Sequence, residues 1–99
     1  MNLLIVDDHA IVRAGLSRLL RSELDARIHE AATGREAVAL ARSTRLDLVI
    51  LDLNLPELGG LELLRRLVQT GAAPILVLSM HAEPLFITRA LAAGAQGYV

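Results

Sequence analysis

Three short runs of apolar residues, none with internal polar alternation, recur along the chain. They are Leu3–Val6, Leu48–Leu51 and Ile75–Leu78, and all are rich in Val, Ile and Leu. Continuous apolar runs of this length favour strands that are buried on both faces of a sheet. Because helix-like stretches separate them, the pattern predicts strands and helices that alternate around a parallel sheet.

Four helices are predicted from the spacing of apolar residues. The first covers about Ala10 to Arg21, with one apolar face opposite one polar face. The apolar face is Ile11, Val12, Leu16, Leu19 and Leu20, and the polar face is Arg13, Ser17, Arg18 and Arg21. The second begins at a capping box, Thr33 to Glu36, and buries Ala37, Val38, Leu40 and Ala41.

The third helix follows Gly59-Gly60, and the fourth begins near Glu83-Pro84 and ends at Gly94. The third ends at Gly71 as a C-cap and points Leu61, Leu64, Leu67 and Val68 inward.

Two weaker strands, Ala26–Glu30 and Gln96–Val99, are predicted at the edges of the sheet. The three apolar strands then lie in the middle, which gives the order 2-1-3-4-5 of a flavodoxin-like, doubly wound, five-stranded parallel α/β sheet. Ligands of such sheets bind beyond the carboxyl ends of the strands at the switch point, here between the first and third strands.

Three aspartates follow those two strands, namely Asp7, Asp8 and Asp52. Carboxylates that converge repel one another unless a cation joins them, and Mg2+ prefers oxygen ligands of this kind. An Asp52 oxygen is then placed to attack a phosphorus atom, with the Ser79 hydroxyl as a hydrogen-bond donor. Taken alone, each aspartate is more often a turn or N-cap residue, as is Ser79, and it is the three aspartates together at the switch point that favour the chemical role. We expect His9 and His81 to be solvated loop residues rather than ligands.

Composition narrows the class of protein. Ninety-nine residues with 54 % hydrophobic content predict one globular domain, and a net charge of -1 gives no electrostatic footprint for DNA or an anionic membrane. Cysteine is absent and the start carries no basic leader, which leads us to expect a cytoplasmic protein without disulfides.

The chain resembles response-regulator receiver domains of two-component signalling along its whole length. The segments that carry the resemblance are Leu3 to His9, Leu51 to Pro56 with Gly60, Ser79, and Gly94 to Val99. Asp7-Asp8-His9 with Arg13 to Leu16 is most similar to the NarL/FixJ subfamily, whose members usually carry a C-terminal DNA-binding domain.

The resemblance implies a function and a set of site residues. Asp52 is then the phosphoacceptor for a sensor histidine kinase, and Mg2+ is held by Asp7, Asp8, Asp52 and the backbone carbonyl of Asn54. Ser79 and Tyr98 are the switch residues, although Tyr98 could equally be a partly buried aromatic residue of an edge strand. Asn54, Met80 and His81 tune the lifetime of the phosphorylated state. The output implied is transcriptional, through a DNA-binding domain outside this chain, and the receiver is a signalling domain rather than an enzyme.

One departure from the family concerns the last strand. In the family a lysine follows the tyrosine by three positions, whereas this sequence stops at Val99 and contains no lysine. The sequence therefore resembles a receiver, residues 1–99, truncated before that lysine and the fifth helix. We expect impaired phosphorylation of this form, an uncovered apolar strip of the sheet, and dimerisation or segment exchange through it.

Three other functions are open at this point. An aspartate-nucleophile phosphatase uses the same chemistry, but its nucleophile follows the first strand. A flavin or nucleotide binder of this fold needs a Gly- or Ser-rich loop after the first strand, where this chain has Asp7-Asp8-His9. A receiver-like interaction module that is not phosphorylated is the third.

Overall fold

A computed structural model describes residues 1–52, 60–71, 73–78 and 84–98. Strands and helices alternate through these ranges. The strands are β1 (Asn2–Val6), β2 (Arg27–Ala31), β3 (Leu48–Asp52), β4 (Ile75–Leu78) and β5 (Gly97–Tyr98). The helices are α1 (Ala10–Glu23), α2 (Gly34–Ser43), α3 (Gly60–Gln69) and α4 (Pro84–Ala92).

The five strands form one parallel sheet in the order β2-β1-β3-β4-β5. The predicted doubly wound topology is confirmed, and the strand order follows from burial. The last four residues of β1 and the middle three of β3 are buried, whereas β2 alternates between exposed and buried positions as an edge strand does.

Helices cover the sheet on both faces, and each face has its own apolar cluster. The larger cluster joins β1, β3 and β4 to α2, α3 and α4, and includes Leu4, Leu51, Leu64 and Val77. The smaller cluster, Leu3, Ile5 and Ile28, packs against Leu16 and Leu20 of α1.

The predicted inward face of α1 is wrong in part. Leu16 and Leu20 are half-buried, but Ile11 is 88 % exposed and Leu19 is 56 % exposed, with Val12 also exposed. Ser17, assigned to the polar face, is instead buried, and within the described part of the chain its hydroxyl has no hydrogen-bond partner. The reason is geometric: the stripe at positions 13, 16, 17 and 20 follows the helical repeat and faces the sheet, so apolar residues outside it remain exposed.

Helix ends agree with the sequence prediction in most details. The Thr33 hydroxyl accepts a hydrogen bond from the Glu36 amide at 3.2 Å, while the Glu36 carboxylate accepts one from the Ala32 amide rather than from Thr33. Gly71 follows α3 with φ of 68°, and Gly94 follows α4 with φ of 115°. Both values lie in the left-handed region that favours glycine.

Burial in α3 also departs from the prediction at one position. Leu64 and Leu67 are buried and Leu61 is half-buried, but Val68 is 40 % exposed and Leu63 is buried instead. A β-carbon on Gly94 would meet the Val68 side chain at 2.8 Å, so Val68 packs against the turn after α4 rather than into the core.

Candidate functional site

The acidic residues that follow β1 and β3 meet at one edge of the sheet. Val6 is paired with Leu51, so Asp7 and Asp52, each next along its strand, extend from the same end of neighbouring strands. One ligand atom from each of Asp7, Asp8, His9 and Asp52 lies within 4.8 Å of all the others. We call these four residues the acidic cluster.

Asp7 is fixed in this cluster by its surroundings. It is 7 % exposed, and its amide donates to the Ala31 carbonyl at 3.0 Å at the end of β2. The Arg13 guanidinium donates to the Asp7 carbonyl at 2.7 Å and bridges to Glu30 at 3.1 Å. Asp7 Oδ1 accepts a hydrogen bond from the His9 amide at 2.8 Å, so the side chain is held as well as the backbone.

His9 lies beside the aspartates, as its position in the sequence predicts. Its side chain is 65 % exposed, yet its Nδ1 atom lies 3.1 Å from Asp7 Oδ1 and 3.1 Å from Asp8 Oδ1. The hydrogen bond to Asp7 raises the pKa of His9, and the charges of Asp8, Asp7 and Asp52 raise it further, against a smaller opposing effect of burial. His9 is therefore solvated, as expected, and its ring also contacts the carboxylates of the cluster.

The donor set fits a hard divalent cation. Three carboxylates from three residues supply oxygen ligands of the kind that Mg2+ and Ca2+ prefer. Asp8 is exposed, so one side of the cluster is open to solvent, whereas Asp7 is buried behind it. An open side leaves room for water molecules or for a phosphoryl oxygen at the cation.

Of the other residues that the resemblance implicates, one, Tyr98, is among the described residues. Outside the described residues lie Asn54, Ser79, Met80 and His81. Tyr98 forms β5 and is paired with Val77 of β4. In the described ranges, no helix is long and apolar enough to cross a membrane.

Comparison with known proteins identifies the family. The response regulator receiver domain family matches residues 3–99. Curated relatives include the response regulator UvrY of Escherichia coli, 37 % identical over 101 residues, and the transcriptional regulatory protein UhpA of Salmonella typhimurium, 42 % identical over 96 residues. All of this chain aligns with 46 % of UvrY, and 96 % of it aligns with 48 % of UhpA, so the chain spans about half the length of these relatives.

Similar solved structures are also response regulators. A LuxR-family two-component response regulator from Aurantimonas has 43 % identity and a TM-score of 0.90, covering 98 % of this chain and 71 % of that one. A Burkholderia pseudomallei response regulator, solved with a phosphorylated aspartic acid, calcium ion and citrate, has 30 % identity and a TM-score of 0.91, covering 98 % of this chain and 57 % of that one.

The chain therefore belongs to the response regulator receiver domain family of two-component systems. The UvrY and UhpA relatives and the LuxR-family structure confirm its resemblance to the NarL/FixJ subfamily. These relatives are response and transcriptional regulators.

Proposed function

We propose that this chain is a phosphoacceptor domain in which Asp52 receives a phosphoryl group with the help of Mg2+. The convergence of Asp7, Asp8 and Asp52 at the switch point of the sheet carries the proposal. We favour a cation site over a purely structural role because three neighbouring carboxylates repel one another, which opposes folding unless a positive charge joins them.

The cation ligands in this proposal are the carboxylates of Asp7, Asp8 and Asp52 and the backbone carbonyl of Asn54. Mg2+, when bound there, supplies positive charge that neutralises the carboxylates and the phosphoryl oxygens. Asp7 is buried and hydrogen-bonded, so it holds its oxygen in place, while the exposed Asp8 leaves the entry side open.

Phosphoryl transfer is a single displacement at phosphorus. A carboxylate oxygen of Asp52 forms the new P–O bond, the bond from phosphorus to the donor nitrogen breaks, and the donor imidazole keeps the electron pair. The Ser79 hydroxyl donates a hydrogen bond to a phosphoryl oxygen. Tyr98 changes its environment when Asp52 is phosphorylated. Met80 and His81 tune the lifetime of the phosphorylated state. The Burkholderia regulator with a phosphorylated aspartic acid and a calcium ion supports this chemistry.

The biological setting is part of the same proposal. The phosphoryl donor is a sensor histidine kinase, the location is the cytoplasm, and the receiver spans residues 1–99. The output is transcriptional, with DNA contacted through another domain, as the names of the regulator relatives suggest. The domain is a signalling element that takes part in its own phosphorylation and does not turn over a substrate.

The test treats the longest form that the gene encodes with acetyl phosphate and Mg2+. We expect intact mass spectrometry to show one added phosphoryl group that is base-labile and absent in Asp52→Asn. Asp25→Asn, an exposed carboxylate outside the cluster, is the matched control and retains labelling. Equal labelling of Asp52→Asn and the unaltered protein would sink the proposal.

A second role, self-association, is favoured by the sheet face that carries α1. Leu76 and Leu78 of β4 alternate with core residues Ile75 and Val77, so they lie on this face, and both are only half-buried. We propose that this apolar strip pairs with a second copy of the chain. Light scattering that gives a monomer mass at every concentration would remove this role.

A further inference from the structure

A surface groove with a volume of about 630 Å³ lies between α2 and α3, on the face of the sheet opposite to α1. The residues that line it include Arg35, Val38, Ala39 and Arg42 on α2 and Arg66 and Gln69 on α3. Positions 35, 38, 39 and 42 follow the helical repeat, so they form one stripe along α2. No residue of the acidic cluster lines this groove, which is therefore a separate surface.

The groove is positively charged, although the chain as a whole is not. Arg35, Arg42 and Arg66 are all exposed, and among the described residues that line the groove none is acidic. The net charge of the whole chain is -1. The carboxylate of Glu36, the residue after Arg35, accepts a hydrogen bond from the Ala32 amide at 3.4 Å, at the start of α2. Positive charge is thus concentrated along this one groove.

The guanidinium groups are available to a partner. In the described ranges, neither Arg35 nor Arg42 forms an ion pair. Arg66 Nε lies 3.5 Å from Glu62 Oε1, and both of these side chains are about half exposed. Exposed ion pairs of this kind are weak, so a carboxylate of a partner can replace Glu62.

The spacing of the charges favours an extended, linear anion over a single small one. Arg35 and Arg42 are separated by about 10 Å along α2, at about 1.5 Å per residue. About three residues of an extended peptide cover the same length. A single-stranded nucleic acid is also linear and anionic, but its bases stack on aromatic side chains. The two aromatic residues of this chain, Phe86 and Tyr98, belong to α4 and β5 and not to the groove.

We propose that the groove between α2 and α3 binds an extended acidic segment of a partner protein. Arg35, Arg42 and Arg66 each pair with a carboxylate of that segment, since the planar guanidinium matches a carboxylate with two parallel hydrogen bonds. Val38 and Ala39 supply an apolar floor between the charges. This interaction goes beyond the proposed function, because it uses a surface other than the acidic cluster.

The first test titrates the longest form that the gene encodes into a fluorescein-labelled octaglutamate peptide at low salt and follows the anisotropy. We expect the double variant Arg35→Gln, Arg42→Gln to lower the affinity by about 10-fold, and Arg66→Gln to lower it by about 3-fold. Arg18→Gln, at an exposed arginine of α1, is the matched control and keeps the affinity. Glutamine favours helices, so α2 is retained in the double variant, which circular dichroism checks. Absence of octaglutamate binding, equal affinities of the double variant and Arg18→Gln, or equally tight binding of octaglutamine overturns the proposal.

The second test locates the bound peptide by nuclear magnetic resonance of the 15N-labelled protein. We expect octaglutamate to shift the amide signals of α2 and of the last turn of α3 most strongly. Shifts concentrated on α1 or outside residues 1–99 overturn the proposal. Octathymidine that binds more tightly than octaglutamate, and loses that affinity in the double variant, would assign the groove to nucleic acid instead. Asp52→Asn keeps peptide binding, so loss of binding in that variant would contradict a surface separate from the acidic cluster.

Discussion

Replacing Asp8 by asparagine should stabilise the fold in the absence of divalent cations. The acidic cluster places the Asp8 carboxylate near those of Asp7 and Asp52, with ligand atoms no more than 4.8 Å apart. Asn keeps the size of Asp and one acceptor oxygen but removes its charge. The change therefore tests repulsion with little change in packing.

The size of this stabilisation follows from the distance between the Asp8 carboxylate and its acidic neighbours. Two unit charges 4.8 Å apart repel by about 0.9 kcal/mol in bulk water and by about 3.5 kcal/mol at an effective dielectric constant of about 20. The Asp8 side chain is 32 % exposed, which places it nearer the first value. With two acidic neighbours, we expect Asp8→Asn to raise the free energy of unfolding by about 1 to 2 kcal/mol.

The increase in the free energy of unfolding caused by Asp8→Asn should depend on pH through the protonation of His9. Folding raises the pKa of His9, so its ion pairs contribute stability that is fully present below its ordinary value of 6.5 and is lost as the pH rises through the raised value. At acid pH the imidazolium offsets the repulsion, and at an alkaline pH above the raised pKa the neutral imidazole does not. The gain from Asp8→Asn is therefore larger at the alkaline pH.

Urea unfolding followed by far-ultraviolet circular dichroism measures the effect, since the chain has no tryptophan and one tyrosine. Asp25→Asn serves as the control and should change stability by less than about 0.5 kcal/mol. With Mg2+ at about 100 times its dissociation constant, the unaltered protein gains about 2.7 kcal/mol and the order of stability reverses. A loss of stability in Asp8→Asn without cations, or a gain no larger than that of Asp25→Asn, would refute the reasoning.

Four further predictions concern residues outside the cluster, and all are measured by urea unfolding. Gly94→Ala should cost about 2 to 4 kcal/mol, because φ of 115° is strained for alanine and its β-carbon would meet Val68 at 2.8 Å. Gly71→Ala has strain without a clash and should cost about 1 kcal/mol, so equal costs would contradict the steric argument. Thr33→Ala removes the side-chain cap of α2 and should cost about 1 kcal/mol, and an unchanged midpoint would show that the cap is not needed. Ser17→Ala removes a buried hydroxyl with no partner among the described residues and should leave stability equal or higher, whereas a clear loss would reveal a missed hydrogen bond.

The fold was predictable because each of the three central strands contains a continuous run of apolar residues. A strand that is buried on both faces requires a continuous apolar run. Leu3–Val6 and Leu48–Leu51 are such runs, and each is followed directly by an aspartate. Parallel pairing then places the aspartates at one edge. The topology of the sheet and the location of the carboxylate site thus follow from the same pattern of apolar runs followed by aspartates.

The orientation of α1 and the contacts of the His9 ring were not predictable in this way. Apolar residues on α1 cover more than one face, so the sequence alone does not say which stripe contacts the sheet; burial of Ser17 and exposure of Ile11 settle it. The direction of the His9 ring depends on the angle at which the chain enters α1, where His9 has φ of -87° and ψ of 105°. An Asp-Asp-His sequence before a helix start was the available signal.

The register between β1 and β3 also has a consequence for the folding pathway. Asp7 and Asp52 become neighbours only when these strands pair, and α1, β2 and α2 all lie between them in the chain. Parallel pairing across such a distance closes a large loop, which is slow compared with helix formation. In a stopped-flow refolding experiment, the proposed cation binding should therefore appear with the closure of the central strand pair, after the helices have formed.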